Sequence, residues 1–209
     1  MNAQITIVDY GVGNVASVAN MLKKAGFESR LSSDPDLVAT SPKVILPGVG
    51  AFDRAARILR ESGLKDAVVA AAGSGSTVLG ICLGMQLLLD GSEEGERAES
   101  GLGLIPGRVI AFPAEIRAQG LRIPHMGWNA LTRKGQGEQF PSLANGDRFY
   151  FVHSFYAAPT AAGDVLATAR HGVEFAAMVG RDNVTGAQFH PEKSHRHGMA
   201  VLRDFAEAP

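Results

Sequence analysis

One cysteine, set between glycines at the end of an apolar run, is where this sequence offers chemistry. Gly80-Ile81-Cys82-Leu83-Gly84 joins the β-like stretch Ser76–Ile81 to the helical stretch Leu83–Asp90. This is the pattern of a strand-to-helix elbow that carries a nucleophile, with a thiol in the nucleophile position. The turn is sharp and strained, and side chains beside it would collide with strand and helix, so glycines flank it. A sulfur there sits at a helix N-terminus, where the backbone dipole favours thiolate over thiol. The Leu83 N–H at the same helix start is free to receive an oxyanion. The same five residues would also suit a small buried thiol packed between glycines.

A thiol nucleophile needs a base, and the base needs an orienting group. Of six histidines, His190 lies at a strand end with a carboxylate two residues on, in Gln188-Phe189-His190-Pro191-Glu192. Pro191 stiffens the step, and Glu192 can accept from the imidazole and set its tautomer. In a parallel sheet, reacting groups gather beyond the carboxyl ends of strands, which brings Cys82 and His190 together despite their separation in sequence. Pro47-Gly48-Val49-Gly50, after another strand, is a turn whose exposed N–H groups can form an anion nest; it would equally serve as a plain connection into the next helix.

Three further patterns point to other chemistry. Gly11-Val12-Gly13-Asn14-Val15-Ala16 after the first strand fits the dinucleotide fingerprint G-x-G-x-x-A. Its acidic ribose partner would be Asp34, which instead stands past a strand end and before Pro35, the position of a helix cap. His190-x-Glu192 matches the zinc-deaminase H-x-E, but that site needs a P-C-x-x-C partner, which a chain with a single cysteine lacks. His195 and His197 read as the solvated start of the last helix rather than a metal site.

The elements that must position these residues alternate in the first half. Strands are predicted at Gln4–Asp9, Phe27–Leu31, Lys43–Leu46 and Ser76–Ile81, and helices at Asn14–Ala25, Asp53–Ser62, Leu64–Ala72 and Leu83–Asp90. This spacing implies βαβ units. Gly91–Gly103 reads as a charged surface loop. Closely spaced strands follow at Arg108–Phe112, Trp128–Leu131, Arg148–Tyr156, Val165–Arg170, Phe175–Gly180 and Val184–Phe189, before an amphipathic helix at Ser194–Phe205. The predicted fold class is α/β: a mostly parallel central sheet with helices on both faces and an antiparallel β extension. No linker or repeat interrupts it, so residues 1–209 are read as a single domain.

Composition narrows the function classes. Hydrophobic residues make up 45% and charged residues 20%, an ordinary globular balance. A net charge of −1 argues against nucleic acid or a membrane surface as partner. One cysteine excludes an internal disulfide and fits a reducing compartment. No apolar run approaches the ~18 residues of a membrane span. The N-terminus shows no basic signal-peptide region, so the expected location is cytoplasmic.

Together, Cys82 in its elbow, His190-Pro191-Glu192 and the upstream Pro-Gly turn resemble the class I, triad-type glutamine amidotransferases. Six segments in order narrow the resemblance to the glutaminase-subunit family of imidazole glycerol phosphate synthase: residues 8–14, 47–52, 80–86, 124–129, 150–154 and 188–194. The resemblance implies a flavodoxin-like fold, no metal and no cofactor, and it accounts for Gly11-x-Gly13 as a family segment. It implies that Cys82 attacks the glutamine carboxamide, His190 moves the proton and Glu192 orients His190. Val49 and Leu83 would donate N–H groups to the oxyanion. Gly50, Gln86, Ser154 and Phe155 would hold the substrate, Phe155 standing where the family pattern has Tyr. The implied partner is a (β/α)₈-barrel cyclase subunit in a heterodimer, receiving ammonia through a tunnel. Asn14, Trp128, Tyr150 and Lys193 match positions expected at or near that interface. A glutaminase serving another synthase, such as that making pyridoxal phosphate, and a non-catalytic binding module of this fold remain the competing readings.

Overall fold

The first strands are apolar on both faces and must be covered on both. The computed structural model describes residues 5–95, 99–134 and 139–208. Its elements in chain order are β1 (Ile5–Val8), α1 (Val15–Lys24), β2 (Ser29–Ser32), α2 (Pro35–Ala39), β3 (Lys43–Gly48), α3 (Phe52–Glu61), α4 (Leu64–Gly73), β4 (Thr77–Cys82), α5 (Leu83–Leu87), β5 (Gly91–Ser92), β6 (Gly107–Ala111), β7 (His125–Ala130), β8 (Thr132–Arg133), β9 (Arg148–His153), β10 (Phe155–Pro159), β11 (Val165–His171), β12 (Val173–Arg181), β13 (Val184–Ala187) and α6 (His195–Glu207). Gln4, the expected start of β1, lies outside the described residues, as do residues 96–98 of the charged loop.

Eight strands form the main sheet in the order β2-β1-β3-β4-β13-β12-β11-β8. The pairs from β2 through β13 are parallel, and β12, β11 and β8 extend the sheet antiparallel. Alternation along the strands divides the core into two layers. Val44 and Leu46 face one layer with Phe52, Leu59 and Val68 of α3 and α4; Ile45 faces the other with Leu22 of α1 and Leu202 and Phe205 of α6. Each such large side chain contributes about 1.5–3 kcal/mol through burial. Lys43, itself buried, ties β3 to α6 by donating to the carbonyls of Phe205, Ala206 and Ala208 at the helix end. A cation at a helix C-terminus satisfies orphan carbonyls and complements the dipole.

Several expectations need correction. Arg148–Tyr156 is two strands: β9 pairs with β7 in a two-stranded sheet, and β10 pairs with β6 in a three-stranded one. The chain changes sheets at Ser154, while the apolar alternation runs on across the break. The helix at Leu83 stops at Leu87 because the following carbonyls are captured from outside: Leu102 N–H bonds to the Leu87 carbonyl at 2.8 Å and Leu104 N–H to that of Leu88 at 2.9 Å. Helix α2 had no predicted range, though it starts where Asp34 reads as a cap. Asp34 caps it by accepting from the N–H groups of Asp36 and Leu37, with Pro35 in the first turn. Among the described residues, no helix is long and apolar enough to cross a membrane.

Candidate active site

Register does most of the positioning. Gly48 at the end of β3 lies beside Cys82 at the end of β4, and Ala187 at the end of β13 lies beside Ile81. The segments that leave these three strands therefore open into one crevice at their carboxyl ends.

Cys82 takes φ 54° and ψ −109°, a strained conformation for a residue with a side chain. Its surroundings show why glycines flank it. A methyl on Gly84 would run into the Leu46 carbonyl, one on Gly80 would lie 2.6 Å from the Gly84 carbonyl oxygen, and one on Gly48 would lie 2.9 Å from Leu83 Cβ. Tyr10, buried, donates from its hydroxyl to the Pro47 carbonyl at 2.9 Å and pins the start of the 47–50 turn. Burial and the nearby Cys82 push the Tyr10 phenol well above its ordinary range. Gly13 of the supposed fingerprint serves the same turn: a methyl there would press on the Pro47 and Gly48 backbone at 3.3 Å.

His190 follows β13, and its Nδ1 lies 2.8 Å from Glu192 Oε1. The carboxylate can only accept, so Nδ1 carries the proton and Nε2 is left with a lone pair in the neutral ring. That Nε2 is buried, finds no nitrogen or oxygen partner among the described residues, and has the Cys82 thiol as its interacting group. Burial works to lower the His190 pKa, but Cys82 and Glu192 outweigh it and hold it up at about 9. Burial likewise works to raise the Glu192 carboxyl, and His190 and Asn14 overcome it and hold it below its ordinary value. Asn14 Nδ2 donates to Glu192 Oε1 at 3.3 Å.

A cavity of about 310 Å³ opens in front of this group, lined by Val49, Gly50, Cys82, Leu83, Gln86, Ser154, Phe155 and His190. All the residues expected to catalyse, to hold an oxyanion or to bind substrate are thus gathered in one place, Glu192 standing behind His190. The break at Ser154 turns 153–155 into the cavity wall. Gly50 adopts φ +98°, a conformation glycine takes freely. Trp128, Tyr150 and Lys193 form a separate surface cluster. Trp128 pairs with Tyr150 across the β7–β9 ladder, stacks on His195 at 5.2 Å and is 39% exposed, while Lys193 Nζ sits 5.5 Å above the Tyr150 ring. Met126 beside them is 63% exposed. Asn14 lies against Glu192 instead.

Such a site can run acyl transfer from an amide: a thiol nucleophile, an imidazole with a free lone pair, an orienting carboxylate and a pocket beside them. The sequence model of the family described as glutamine amidotransferase class-I matches residues 6–208. The chain belongs to the class I glutamine amidotransferase family. It is 45% identical over 206 residues to "Imidazole glycerol phosphate synthase subunit HisH" of Geobacter metallireducens, covering 98% of each chain. It is 46% identical over 204 residues to the subunit of the same name from a Geobacillus species, covering 97% of this chain and 95% of that one. In fold it is similar to PurLQS from Thermotoga maritima, with a TM-score of 0.74 at 20% identity, covering 98% of both chains.

Three features of this amidotransferase site escaped the sequence reading. Glu94 belongs to the loop read as surface, yet it is half-buried, lines the cavity and accepts the Phe52 N–H at 3.0 Å. Burial raises its pKa, against the pull of that N–H. His153 lines the cavity too, and its Nδ1 meets the Phe155 carbonyl at 2.8 Å while its Nε2 meets His125 Nδ1 at 3.0 Å. Gln188 is fully buried next to the sulfur. Charge and alternation in the sequence look the same for a solvated loop or a plain core strand as they do here; the place of Gln188 at the head of the 188–194 segment was the one available signal.

Proposed function

We propose that this chain hydrolyses glutamine to glutamate and ammonia as the glutaminase subunit of imidazole glycerol phosphate synthase, residues 1–209 forming one amidotransferase domain. The observation that carries the mechanism is the His190 ring, whose proton on Nδ1 is held by Glu192 and whose other side interacts with the Cys82 thiol in the same cavity. With His190 held up at about 9, Nε2 takes the thiol proton before attack, and the sulfur then adds to the carboxamide carbon as a thiolate. The oxyanion is received by the N–H groups of Val49 and Leu83. His190 then gives its proton to the leaving nitrogen, ammonia departs, and water activated by His190 hydrolyses the glutamyl thioester to glutamate. Gly50, Gln86, Ser154 and Phe155 hold the substrate, and the Glu94 carboxylate in the cavity wall suits its α-ammonium group.

Ammonia released to neutral water becomes unreactive ammonium, so a partner must receive it. Relatives named as subunits of a synthase support a (β/α)₈-barrel cyclase in that place, which uses the ammonia to form imidazole glycerol phosphate and aminoimidazole carboxamide ribonucleotide. The exposed Trp128, Met126 and Lys193, with the half-buried Tyr150 between Trp128 and the Lys193 cation, suit its docking face. The single catalytic thiol supports a reducing compartment such as the cytoplasm as the location of the complex.

Cys82→Ala tests the reading. Glutamate release should vanish, while synthase activity fed with ammonium salts persists in the complex with the cyclase subunit. A variant that still hydrolyses glutamine with the partner present would overturn the nucleophile assignment. Association with a pyridoxal-type synthase partner instead would overturn the choice of synthase.

A further inference from the structure

We infer that Gln188 is a further catalytic residue, whose side-chain amide donates a hydrogen bond to the Cys82 sulfur and supports it as a thiolate. The inference deepens the proposed function and rests on Cys82 being the nucleophile. Backbone register places the residue: β13 runs parallel to β4 with Gly186 beside Gly80 and Ala187 beside Ile81, so the next residue, Gln188, comes level with Cys82. Its Nε2 lies 3.8 Å from Sγ.

Which end of the amide faces the sulfur follows from hydrogen-bond logic. Gln86 Nε2 lies 3.0 Å from the Phe155 carbonyl oxygen, which can only accept, so the nitrogen end of Gln86 points that way. The same nitrogen lies 3.1 Å from Gln188 and must meet an acceptor there, so it faces Gln188 Oε1. The Gln188 nitrogen is left for Cys82. One backbone carbonyl thus orients two amides in series and aims a donor at the nucleophile.

On another side of the sulfur stands the Val152 carbonyl oxygen at 4.0 Å. A carbonyl accepts from a thiol and repels a thiolate; an amide N–H does the reverse for the charged form. When the proton leaves for His190, the Val152 contact loses its purpose and the Gln188 donor gains strength. Gln188 is fully buried, so no solvent stands in when the amide is removed.

The test is alkylation of the chain's only cysteine by iodoacetamide across pH, on wild type, Gln188→Met and Gln188→Asn. Methionine keeps the length without a donor; asparagine keeps an amide on an arm too short to reach and is the milder change to the core. Titratable groups facing this space are His190 with Glu192 behind it, Tyr10, His153 and Glu94, and both variants retain all of them. The pH midpoint of alkylation should move up by about one unit in each variant, the equivalent of one hydrogen bond to a charged group. Thr185→Val, on the same strand with its hydroxyl donating to the Val78 carbonyl, serves as the structural control: it should lower the melting temperature and leave the midpoint in place. Gln188 variants with the wild-type midpoint, or a Thr185 variant shifted as far as they are, overturn the inference. A wild-type chain that resists alkylation and leaves glutamine intact in the presence of its partner overturns the nucleophile reading itself.

Discussion

Two sets of buried imidazoles flank one cavity, and the protein drives them in opposite directions. His190 is held up at about 9; His125 is pushed down to about 4 and His153 to about 3. Burial is common to all three and lowers an imidazole in each case. The partners differ. His190 meets a carboxylate and a thiol, whereas His153 donates from Nδ1 to the Phe155 carbonyl and accepts at Nε2 from His125 Nδ1–H. His125 Nε2 in turn faces Asn129 Nδ2 at 3.4 Å. Each ring of the second pair is a neutral link with one donor and one acceptor spoken for, and nearby His171 adds a disfavouring charge for His125. A buried histidine beside charge is equipped to move protons; one beside carbonyls and another neutral ring is equipped to hold a wall in place.

The largest contrast is kinetic. His190→Gln should lower kcat for glutamine hydrolysis by about 10²–10⁴, the usual worth of a general base. His153→Gln removes the link that fixes the Phe155 carbonyl and should cost less than about tenfold, mostly in KM. Steady-state kinetics of the two variants in complex decide it: equal losses in kcat would erase the division between chemistry and scaffold.

Stability against pH separates the same two sets. An unfolded histidine titrates near 6.5. His125 and His153 titrate lower in the fold, so below that pH the unfolded chain binds protons the fold refuses, and stability falls on acidification. For His153 alone the slope is about 1.4 kcal/mol per pH unit. His190 is raised, so its contribution is complete below about pH 6.5 and is lost as pH rises through 9. Glu192 is held low, and its contribution is lost on the acid side. The melting temperature should therefore peak near pH 6.5 and fall both ways. A flat curve from pH 6.5 down to 4 would show that the His125–His153 pair is not held neutral.

The two sets were unequally legible in the sequence. The elbow at Cys82 was readable because three demands coincide there, a strained turn, close approach of β3 and a helix start, and each restricts residue type. His190-Pro191-Glu192 was readable because base and orienting acid sit on one short turn. That β1, β3 and β4 run parallel followed from alternation of strand and helix; their order in the sheet did not. The second set was hidden. His125 and His153 come together only because β7 pairs with β9 in a sheet of its own, and period-two patterning does not say which strand is a neighbour. Gln188 and Glu94 were hidden for related reasons: a buried glutamine on a core strand and an acid in a charged loop look ordinary until register and loop path bring them to the sulfur. Helix α2, five residues long, is too short to show a period.

The smallest expected effect tests how far the charged set extends. Asn14 was read from the sequence as a residue at or near the partner interface, and its side chain lies on Glu192 at 3.3 Å. That contact helps hold the carboxylate ionised, after His190 itself. A hydrogen bond to a charged group is worth about 1.5–3 kcal/mol at good geometry, and this one, at 3.3 Å, belongs at the bottom of that range or below it. Asn14→Ala should therefore lower kcat by about two- to tenfold and shift the acid limb of the glutaminase pH profile upward, because Glu192 then protonates more readily. An interface residue would behave otherwise, weakening association with the synthase partner and leaving the pH profile of the saturated complex in place. Measuring both the profile and the affinity assigns Asn14 to one set of duties, and an unshifted acid limb would end the catalytic set at Glu192.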